Sequence, residues 1–357
     1  MDITRIDKNF KADTIEKSDI RWYNVREQVF DIRGIVYAQE ENLDRRMPME
    51  IANSISEGVA ELSKHTAGGR LRFFTTSPYI AFKVWMPNVK VMSHMACAGQ
   101  CGFSVYSDGV FVGSVRPDSS IFKQETGERV AFEGIVNFKE ETGRNIEIYF
   151  PLYNGVYELY IGLKETAELK EAKPYAYNKP LVFYGSSITQ GGCASRPGSD
   201  YISICSRWLD SDYINLGFSG SAKGEENMAK YLASLDASIF VMDYDANAPT
   251  EEWLKETHFA MYQTIRQANP NTPIVFISRP DILYQPARFE PRREIIYAHY
   301  LKAKEQGDRS VYFIDGETLF GAEDWHSCTV DGLHPNDLGF YRMAKRVYKT
   351  LKAILHD

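Results

Sequence analysis

Cysteine is scarce in this chain of 357 residues. The five cysteines, Cys97, Cys101, Cys193, Cys205 and Cys328, are odd in number and widely spread. Small secreted domains that depend on disulfides have dense, even sets of cysteines, so this class is excluded. Cys97 and Cys101 have the spacing of half a metal site. No second thiolate pair or nearby histidine completes such a site, and we expect both residues to be structural.

Long apolar runs and clusters of like charge are also missing. No stretch reaches the ~18 consecutive apolar residues that a membrane-spanning helix requires. The net charge is −7, from 41 basic and 48 acidic residues, whereas nucleic acid and anionic membranes both favour basic patches. We therefore expect neither of them as a partner. The first seven residues lack the apolar core of a signal peptide, so we expect a cytoplasmic protein, or an exported one whose leader has been removed.

The N-terminal half has the pattern of an antiparallel β-sandwich. Residues from about 70 to 165 alternate apolar and polar, as in Tyr79–Trp85 and Asn145–Phe150, which is typical of strands with one buried face. Asp108 and Gly109 lie between two such strands and favour a tight hairpin turn. Several short strands with turn signals predict a sandwich domain of the jelly-roll type.

The C-terminal half alternates short apolar runs with segments of helical period. Pro174 and Pro180 make residues 171–180 typical of a linker. The predicted strands are Leu181–Tyr184, Tyr213–Leu216, Ile239–Met242, Ile274–Ile277 and Val311–Ile314. The predicted helices are 200–209, 225–235, 251–268, 290–306 and one from Pro335 to about Leu355. This order predicts a parallel sheet covered by helices on both faces. We expect a sandwich domain over residues 1–172 and an α/β domain over 173–357.

Ser187 is the candidate nucleophile because it follows the first predicted strand of the α/β domain. Parallel sheets bind ligands outside the carboxyl ends of their strands. The surrounding glycines and small residues let the chain turn sharply there. Ile188 and Thr189 follow the serine, so this segment is neither a P-loop nor the Gly-x-Ser-x-Gly elbow. Taken alone, a strand end rich in glycine and serine is more often a plain turn or a phosphate cradle.

Asp331 and His334 could activate such a serine. The histidine stands immediately before the last predicted helix, and the aspartate three residues earlier can fold back onto it. A hydroxyl needs an adjacent base to attack at neutral pH, and a carboxylate on the other ring nitrogen fixes the imidazole tautomer. The alternative is that both residues merely cap the helix.

Gly220 and Asn247 follow the second and third predicted strands. A glycine N–H and an asparagine amide are the kinds of donor that stabilise the oxyanion of a tetrahedral intermediate. The alternative is that Gly220 is a turn residue and that Asn247 caps a loop.

These four blocks, in this order, resemble the SGNH hydrolase superfamily, also called GDSL-like lipases and acylhydrolases. The blocks are Gly185–Ser187, Gly220, Asp245–Asn247 and Asp331–His334, and the resemblance covers about 175–357. It implies a three-layer α/β/α domain of the flavodoxin-like type. Ser186 and Asp245 depart from the Asp and Gly that the family has there, and Asp245 makes the alignment of Asn247 less certain.

The string from Ser186 to Gly198 resembles one branch of this superfamily. In that branch an N-terminal β-sandwich carries a Gly-x-Asp-Leu-Tyr motif, which Gly102–Tyr106 matches in degenerate form. The resemblance implies that Ser187 attacks an ester with His334 as base and Asp331 as orienting carboxylate. It further implies an oxyanion hole made of Ser187, Gly220 and Asn247, and it requires no metal and no cofactor.

Other residues near the site are candidates for substrate binding, namely Arg196, Asp245, Arg279, Tyr284 and Trp325. Arg279 could contact a substrate oxygen, and an ion pair with Asp281 explains it equally well. Aromatic residues beside a cleft are more often packing residues. Asp324 and His326 lie close to the Asp331 block, but their spacing does not support a metal site.

The sequence leaves three functions open. The first is a serine esterase that removes acetyl or another short acyl group, with a small-molecule or glycan ester as substrate. The second is a lipase, lysophospholipase or thioesterase, although no amphipathic lid segment is visible. The third is a catalytically silent carbohydrate-binding protein. The sandwich domain could bind glycan, form a wall of the cleft, or make the interface of a homo-oligomer.

Overall fold

The computed structural model describes residues 15–38, 43–118 and 128–356, which form two compact units. The N-terminal unit contains the described residues up to Arg45, Lys64–Pro174 and the short segment Ser195–Gly198. The second unit contains Arg46–Ser63, Tyr175–Ala194 and the residues from Ser199 onward. Arg46–Ser63 and Ser195–Gly198 therefore each belong to a different unit from the residues that flank them in sequence. The sequence pattern does not indicate this.

The strands of the described residues are β1 (Ile20–Asn24), β2 (Asp31–Arg33), β3 (Val36–Ala38), β4 (Leu43–Arg45), β5 (Arg70–Thr75), β6 (Tyr79–Pro87), β7 (Phe103–Ser107), β8 (Val110–Val115), β9 (Arg129–Asn137), β10 (Arg144–Tyr149), β11 (Glu158–Lys164), β12 (Leu169–Lys170), β13 (Tyr177–Gly185), β14 (Ser211–Gly217), β15 (Ile239–Asp243), β16 (Ile274–Ile277) and β17 (Val311–Ile314). The α-helices are α1 (Met49–Ile55), α2 (Glu57–Leu62), α3 (Cys97–Cys101), α4 (Ser187–Gln190), α5 (Tyr201–Leu209), α6 (Glu226–Ser234), α7 (Glu251–Ala268), α8 (Pro286–Glu305) and α9 (Asp337–His356). None of the helices in the described ranges has the length and apolar composition needed to cross a membrane.

Two large antiparallel sheets build the N-terminal unit, as predicted, and β3 and β4 pair in a separate two-stranded sheet. One has the order β1-β11-β6-β9, and the other has the order β12-β5-β10-β7-β8 with β2 also paired to β5. Alternate residues of both sheets are buried in one shared core, for example Phe82 and Phe103. The predicted hairpin joins β7 and β8, and both of its turn residues have positive φ, +47° at Asp108 and +81° at Gly109.

The second unit is built on a parallel sheet with the order β14-β13-β15-β16-β17. All its neighbouring strands pair in parallel, which confirms the predicted α/β class. Strand β13 lies between β14 and β15 and ends at Gly185, which pairs with Gly217 of β14 and Asp243 of β15. The carboxyl ends of these three strands therefore meet at one edge of the sheet.

Helices α1 and α2 belong to this second unit although they precede most of the sandwich in sequence. Met47, Ala52 and Val59 from this segment are buried in the core of the α/β unit. The apolar face of an amphipathic helix must be buried against a core. The core of the α/β unit buries the apolar faces of α1 and α2.

Two predicted boundaries are wrong. The linker does not extend to residue 180, because β13 already begins at Tyr177 with a register irregularity before Leu181. Pro180 lies in this irregular part, where its missing N–H costs no ladder hydrogen bond. The last helix begins at Asp337 rather than Pro335, because the Asn336 side chain caps it by accepting a bond from Gly339 N at 3.1 Å.

Candidate active site

Ser187 begins a single helical turn, α4, directly after strand β13. The Ser186 hydroxyl accepts a hydrogen bond from Ile188 N at 3.2 Å, and Gly191 ends the turn with φ +99°. Gly185 must lack a side chain, because a Cβ there would lie 2.0 Å from Thr189 Oγ1. This tight packing holds Ser187 at the sheet edge with 6% of its surface exposed.

Ser187, His334 and Asp331 form a continuous chain of contacts. Ser187 Oγ lies 3.0 Å from His334 Nε2, and His334 Nδ1 lies 2.7 Å from Asp331 Oδ2. The second oxygen of Asp331 accepts bonds from the backbone N–H of His334 at 2.7 Å and of Leu333 at 3.0 Å. The aspartate thus folds back onto its own loop and fixes the plane of the histidine ring, as the spacing in the sequence predicts.

Asp331 is held in its ionised form. Partial burial raises the pKa of its carboxyl, but the hydrogen bonds from the His334 ring and from the backbone of His334 and Leu333 outweigh burial and lower this pKa below its usual value. The carboxylate is therefore charged at neutral pH. It can hold a proton on Nδ1 of His334 and stabilise a positive charge on that ring.

Gly220 lies beside an open space. Its φ is +66°, and a Cβ built on it would meet no atom within 4 Å. Asn247, in the turn Asp245–Asn247, donates one amide hydrogen of Nδ2 to Phe218 O at 2.8 Å. That bond defines which end of the amide is nitrogen and leaves the second N–H for another acceptor.

Side chains that sequence reasoning did not single out tie the Gly220 loop to the Ser187 turn. Asn215 Nδ2 donates to Thr189 O at 2.8 Å, and Ser219 N donates to Gln190 Oε1 at 3.0 Å. The only indication of Asn215 and Gln190 in the sequence is that they lie beside the blocks that contain Gly220 and Ser187.

Asp243 is a buried carboxyl behind the same turn. It accepts hydrogen bonds from Thr189 Oγ1 at 2.9 Å and from Tyr201 OH at 2.7 Å, both on the same oxygen. Burial raises its pKa to about 7, with the two hydroxyl donors acting against that rise. Asp243 thus links the turn that carries Ser187 to helix α5.

Arg46 supports the end of β14 from the segment Arg46–Ser63. Arg46 is buried, with 3% of its surface exposed. Its guanidinium donates one hydrogen bond to the carbonyl of Gly217 and another, at 2.6 Å, to the carbonyl of Leu62. It also lies 4.5 Å from the centre of the Phe218 ring. No local signal marks this residue, because its partners on β14 lie about 170 positions away in sequence.

The structure accounts for two of the predicted substrate-binding residues by internal contacts. Arg279 forms a bidentate ion pair with Asp281, with N–O distances of 2.7 and 2.6 Å. An ion pair with Asp281 was the alternative to substrate contact. Asp245 is 1% exposed and pairs with Arg292 at 2.8 Å. Substrate contact by either residue stays a prediction.

Tyr284 and Trp325 contact each other edge to face, with ring centres 4.8 Å apart. The Tyr284 hydroxyl bonds to the carbonyl of His326 and to Thr329 Oγ1, each at 2.8 Å, so it anchors the loop that leads to Asp331. Arg196 belongs to the N-terminal unit, where its guanidinium lies 3.9 Å from the centre of the Phe111 ring.

Family models match nearly the whole chain. Residues 178–352 match the GDSL-like Lipase/Acylhydrolase family, and residues 20–169 match the GxDLY family, described as the N-terminus of Esterase_SGNH_hydro-type. The α/β unit therefore belongs to the GDSL-like lipase/acylhydrolase family, and the protein is a hydrolase of ester bonds. Its sandwich unit matches the domain that stands at the N-terminus of esterases of this type. No curated protein sequence matches it.

Solved structures show the same fold over most of the chain. A protein described as a GDSL-like lipase from Bacteroides ovatus is 28% identical, with a TM-score of 0.82 over 94% of this chain and 98% of that one. The salicylyl-acyltransferase SsfX3 from a tetracycline biosynthetic pathway is 20% identical, with a TM-score of 0.76 over 95% and 98%. A family two carbohydrate esterase from Clostridium thermocellum is 14% identical, with a TM-score of 0.58 over 82% and 94%. The last two likenesses bear on the fold alone.

Proposed function

We propose that this hydrolase is a serine esterase that removes acetyl or another short acyl group from an O-acylated carbohydrate. The observation that carries the proposal is the unbroken chain of contacts from Ser187 Oγ through both nitrogens of His334 to Asp331. A nucleophile, a base and an orienting carboxylate within hydrogen-bond reach are the geometric requirement of a serine hydrolase.

The first half of the reaction forms an acyl-enzyme. His334 Nε2 takes the proton of Ser187 as Oγ bonds to the ester carbonyl carbon, and Asp331 stabilises the resulting imidazolium. The carbonyl oxygen becomes an oxyanion, which accepts hydrogen bonds from the N–H groups of Ser187 and Gly220 and from the Asn247 amide. The intermediate collapses by breaking its bond to the alcohol oxygen, which takes the proton from His334.

The second half returns the enzyme to its starting state. A water molecule gives a proton to His334 Nε2 and bonds to the acyl carbon. The bond to Ser187 Oγ then breaks, and the serine recovers its proton from the imidazolium. The products are a carboxylic acid and the free enzyme, so the cycle needs no redox partner.

Two observations support a carbohydrate ester of a short acid as the substrate. Structures that share this architecture include the family two carbohydrate esterase from Clostridium thermocellum, which was solved with cellohexaose, and an acetyl xylan esterase from Butyrivibrio proteoclasticus. The sequence also contains no amphipathic segment of the kind that covers the acyl groove of a lipase.

The test is a panel of esters with wild type and Ser187→Ala in parallel. The panel contains acetylated xylo-oligosaccharides and p-nitrophenyl esters of acetate, butyrate and palmitate. We expect release of acetate from the sugar and from the acetyl ester, a steep fall in kcat/KM toward palmitate, and none of this activity in Ser187→Ala. Preference for palmitate would favour a lipase. Binding of the oligosaccharide with no hydrolysis of any ester would favour a silent binding protein.

A further inference from the structure

We infer that Arg292 and Asp245 are positioning residues for the oxyanion hole, acting together through the amide of Asn247. The inference rests on the proposed function, since it concerns the same oxyanion. Asp245 stands where the family pattern has glycine, so the chain carries a charged side chain two residues before the proposed amide donor.

Asp245 is almost completely buried, with 1% of its surface exposed. One carboxylate oxygen accepts a bond from Arg292 Nε at 2.8 Å, and the other accepts a bond from the backbone N–H of Arg279 at 3.1 Å. A buried carboxylate must be paired and hydrogen-bonded to be tolerated. The Asp245 side chain is therefore directed into the protein. There it binds the same guanidinium that donates to the backbone carbonyl of Asp245.

Arg292, on α8, holds both ends of the turn that contains Asn247. Its Nη2 donates to the carbonyl of Asp245 at 2.6 Å and to the carbonyl of Ala248 at 2.9 Å. A single guanidinium thus spans the turn from the residue at its start to the residue after its end. Because guanidinium is planar and always charged, these bonds restrict the turn in direction as well as in distance.

Asn247 lies between these two anchored carbonyls. Its side chain is oriented separately by the bond from Nδ2 to Phe218 O at 2.8 Å. An oxyanion donor contributes to catalysis only when it is already in place as the negative charge develops. Weakening the Arg292 clamp should therefore lower kcat through Asn247, while substrate binding in the ground state changes little.

A double-mutant cycle between Arg292→Gln and Asn247→Ala tests this coupling. We expect Asn247→Ala to lower kcat about 10²–10³-fold, and Arg292→Gln to lower it about 10-fold with KM within 2-fold of wild type. In the Asn247→Ala background, Arg292→Gln should change kcat by less than 2-fold. Asp245→Asn, which keeps the size of the side chain, serves as the second variant if Arg292→Gln does not fold.

Arg266→Gln is the matched control. Arg266 also pairs with a carboxylate, Asp308, at 2.9 Å and donates to backbone carbonyls, including that of Thr272 at 2.7 Å. This second clamp belongs to α7 and contacts none of the proposed catalytic residues. We expect Arg266→Gln to lower the unfolding temperature as Arg292→Gln does and to leave kcat unchanged.

The outcomes separate the inference from the function. Equal losses of kcat from Arg292→Gln in both backgrounds, an effect on KM alone, or unchanged kcat would overturn the positioning role while the esterase stands. Unchanged kcat in Asn247→Ala would overturn the oxyanion assignment and the inference together. Full activity in Ser187→Ala would overturn the proposed function itself.

Discussion

Ser187 Oγ and His334 Nε2 lie 3.0 Å apart although 147 positions separate the two residues in sequence. The contact is possible because the serine follows the inner strand β13 and the histidine lies in the loop before the last helix. Both residues are held independently, the serine by the caps of α4 and the histidine by Asp331. The proposed nucleophile and its proposed base are therefore within hydrogen-bond reach before any substrate binds.

Asp331→Asn should remove activity while the fold is retained. Two backbone N–H groups donate to Oδ1, so the new amide must keep its oxygen there and turn its NH₂ toward His334 Nδ1. Nδ1 then becomes an acceptor, the proton moves to Nε2, and the ring can no longer accept the proton of Ser187. We expect kcat to fall about 10³–10⁴-fold in steady-state assays. The control is Asp236→Asn, an exposed carboxylate paired with Lys179. Near-wild-type kcat in Asp331→Asn would contradict the assigned role.

Gly217→Ala should disrupt the turn that carries Ser187. A Cβ at this position would lie 2.2 Å from Gln190 N and 2.6 Å from the carbonyl carbon of Thr189, so the backbone of α4 must shift. We expect a loss of about 1–3 kcal/mol in the free energy of unfolding and at least a 10-fold loss of kcat.

Gly307→Ala is the control for backbone strain. Gly307 has φ +89°, and a Cβ there would meet no atom within 4 Å. This variant should lose stability through its positive φ alone and keep full activity. Equal activity losses in Gly217→Ala and Gly307→Ala would show that close packing at Gly217 is not the cause.

Asp243→Asn should change how stability depends on pH. Burial raises the pKa of Asp243 to about 7 in the folded protein, so the folded state binds this proton more tightly than the unfolded state. The contribution of this group to the free energy of unfolding is therefore largest below its ordinary pKa of about 4, falls as the pH rises to about 7, and is constant above that.

Urea unfolding of wild type and Asp243→Asn at pH 5 and pH 8 measures this contribution. The variant lacks the titrating group. Its free energy of unfolding minus that of wild type should therefore be about 2–4 kcal/mol higher at pH 8 than at pH 5. The same difference between the two proteins at both pH values would show that Asp243 titrates as an ordinary carboxyl.

Local pattern was sufficient for much of the architecture. Strands β16 and β17 have the bounds that their apolar runs predict, because each run is short and is flanked by turn residues or loops. The Asp-Gly turn between β7 and β8 was likewise predictable from the positive φ that it requires. For Ser187, Asp331 and His334, the order of the blocks along the chain pointed to the residues that the structure brings into contact.

The residues that support the site could not be predicted in the same way. Arg46 and Arg292 act on carbonyls of distant segments, and a buried arginine carries no sequence signal that names its partners. Asp243 looks like the last residue of a strand, and its burial becomes evident only when Thr189 and Tyr201 are packed against it. Segment 46–63 joins the second unit for a similar reason, since its apolar face fits that core.

Labelling with a fluorophosphonate, followed by intact-mass analysis and peptide mapping, tests the central contact most directly. We expect one adduct per chain on wild type, located at Ser187, and none on Ser187→Ala. We also expect a labelling rate about 10²–10⁴-fold lower in His334→Ala. An adduct at another residue, or a His334→Ala protein that reacts as fast as wild type, would contradict the proposed roles of Ser187 and His334.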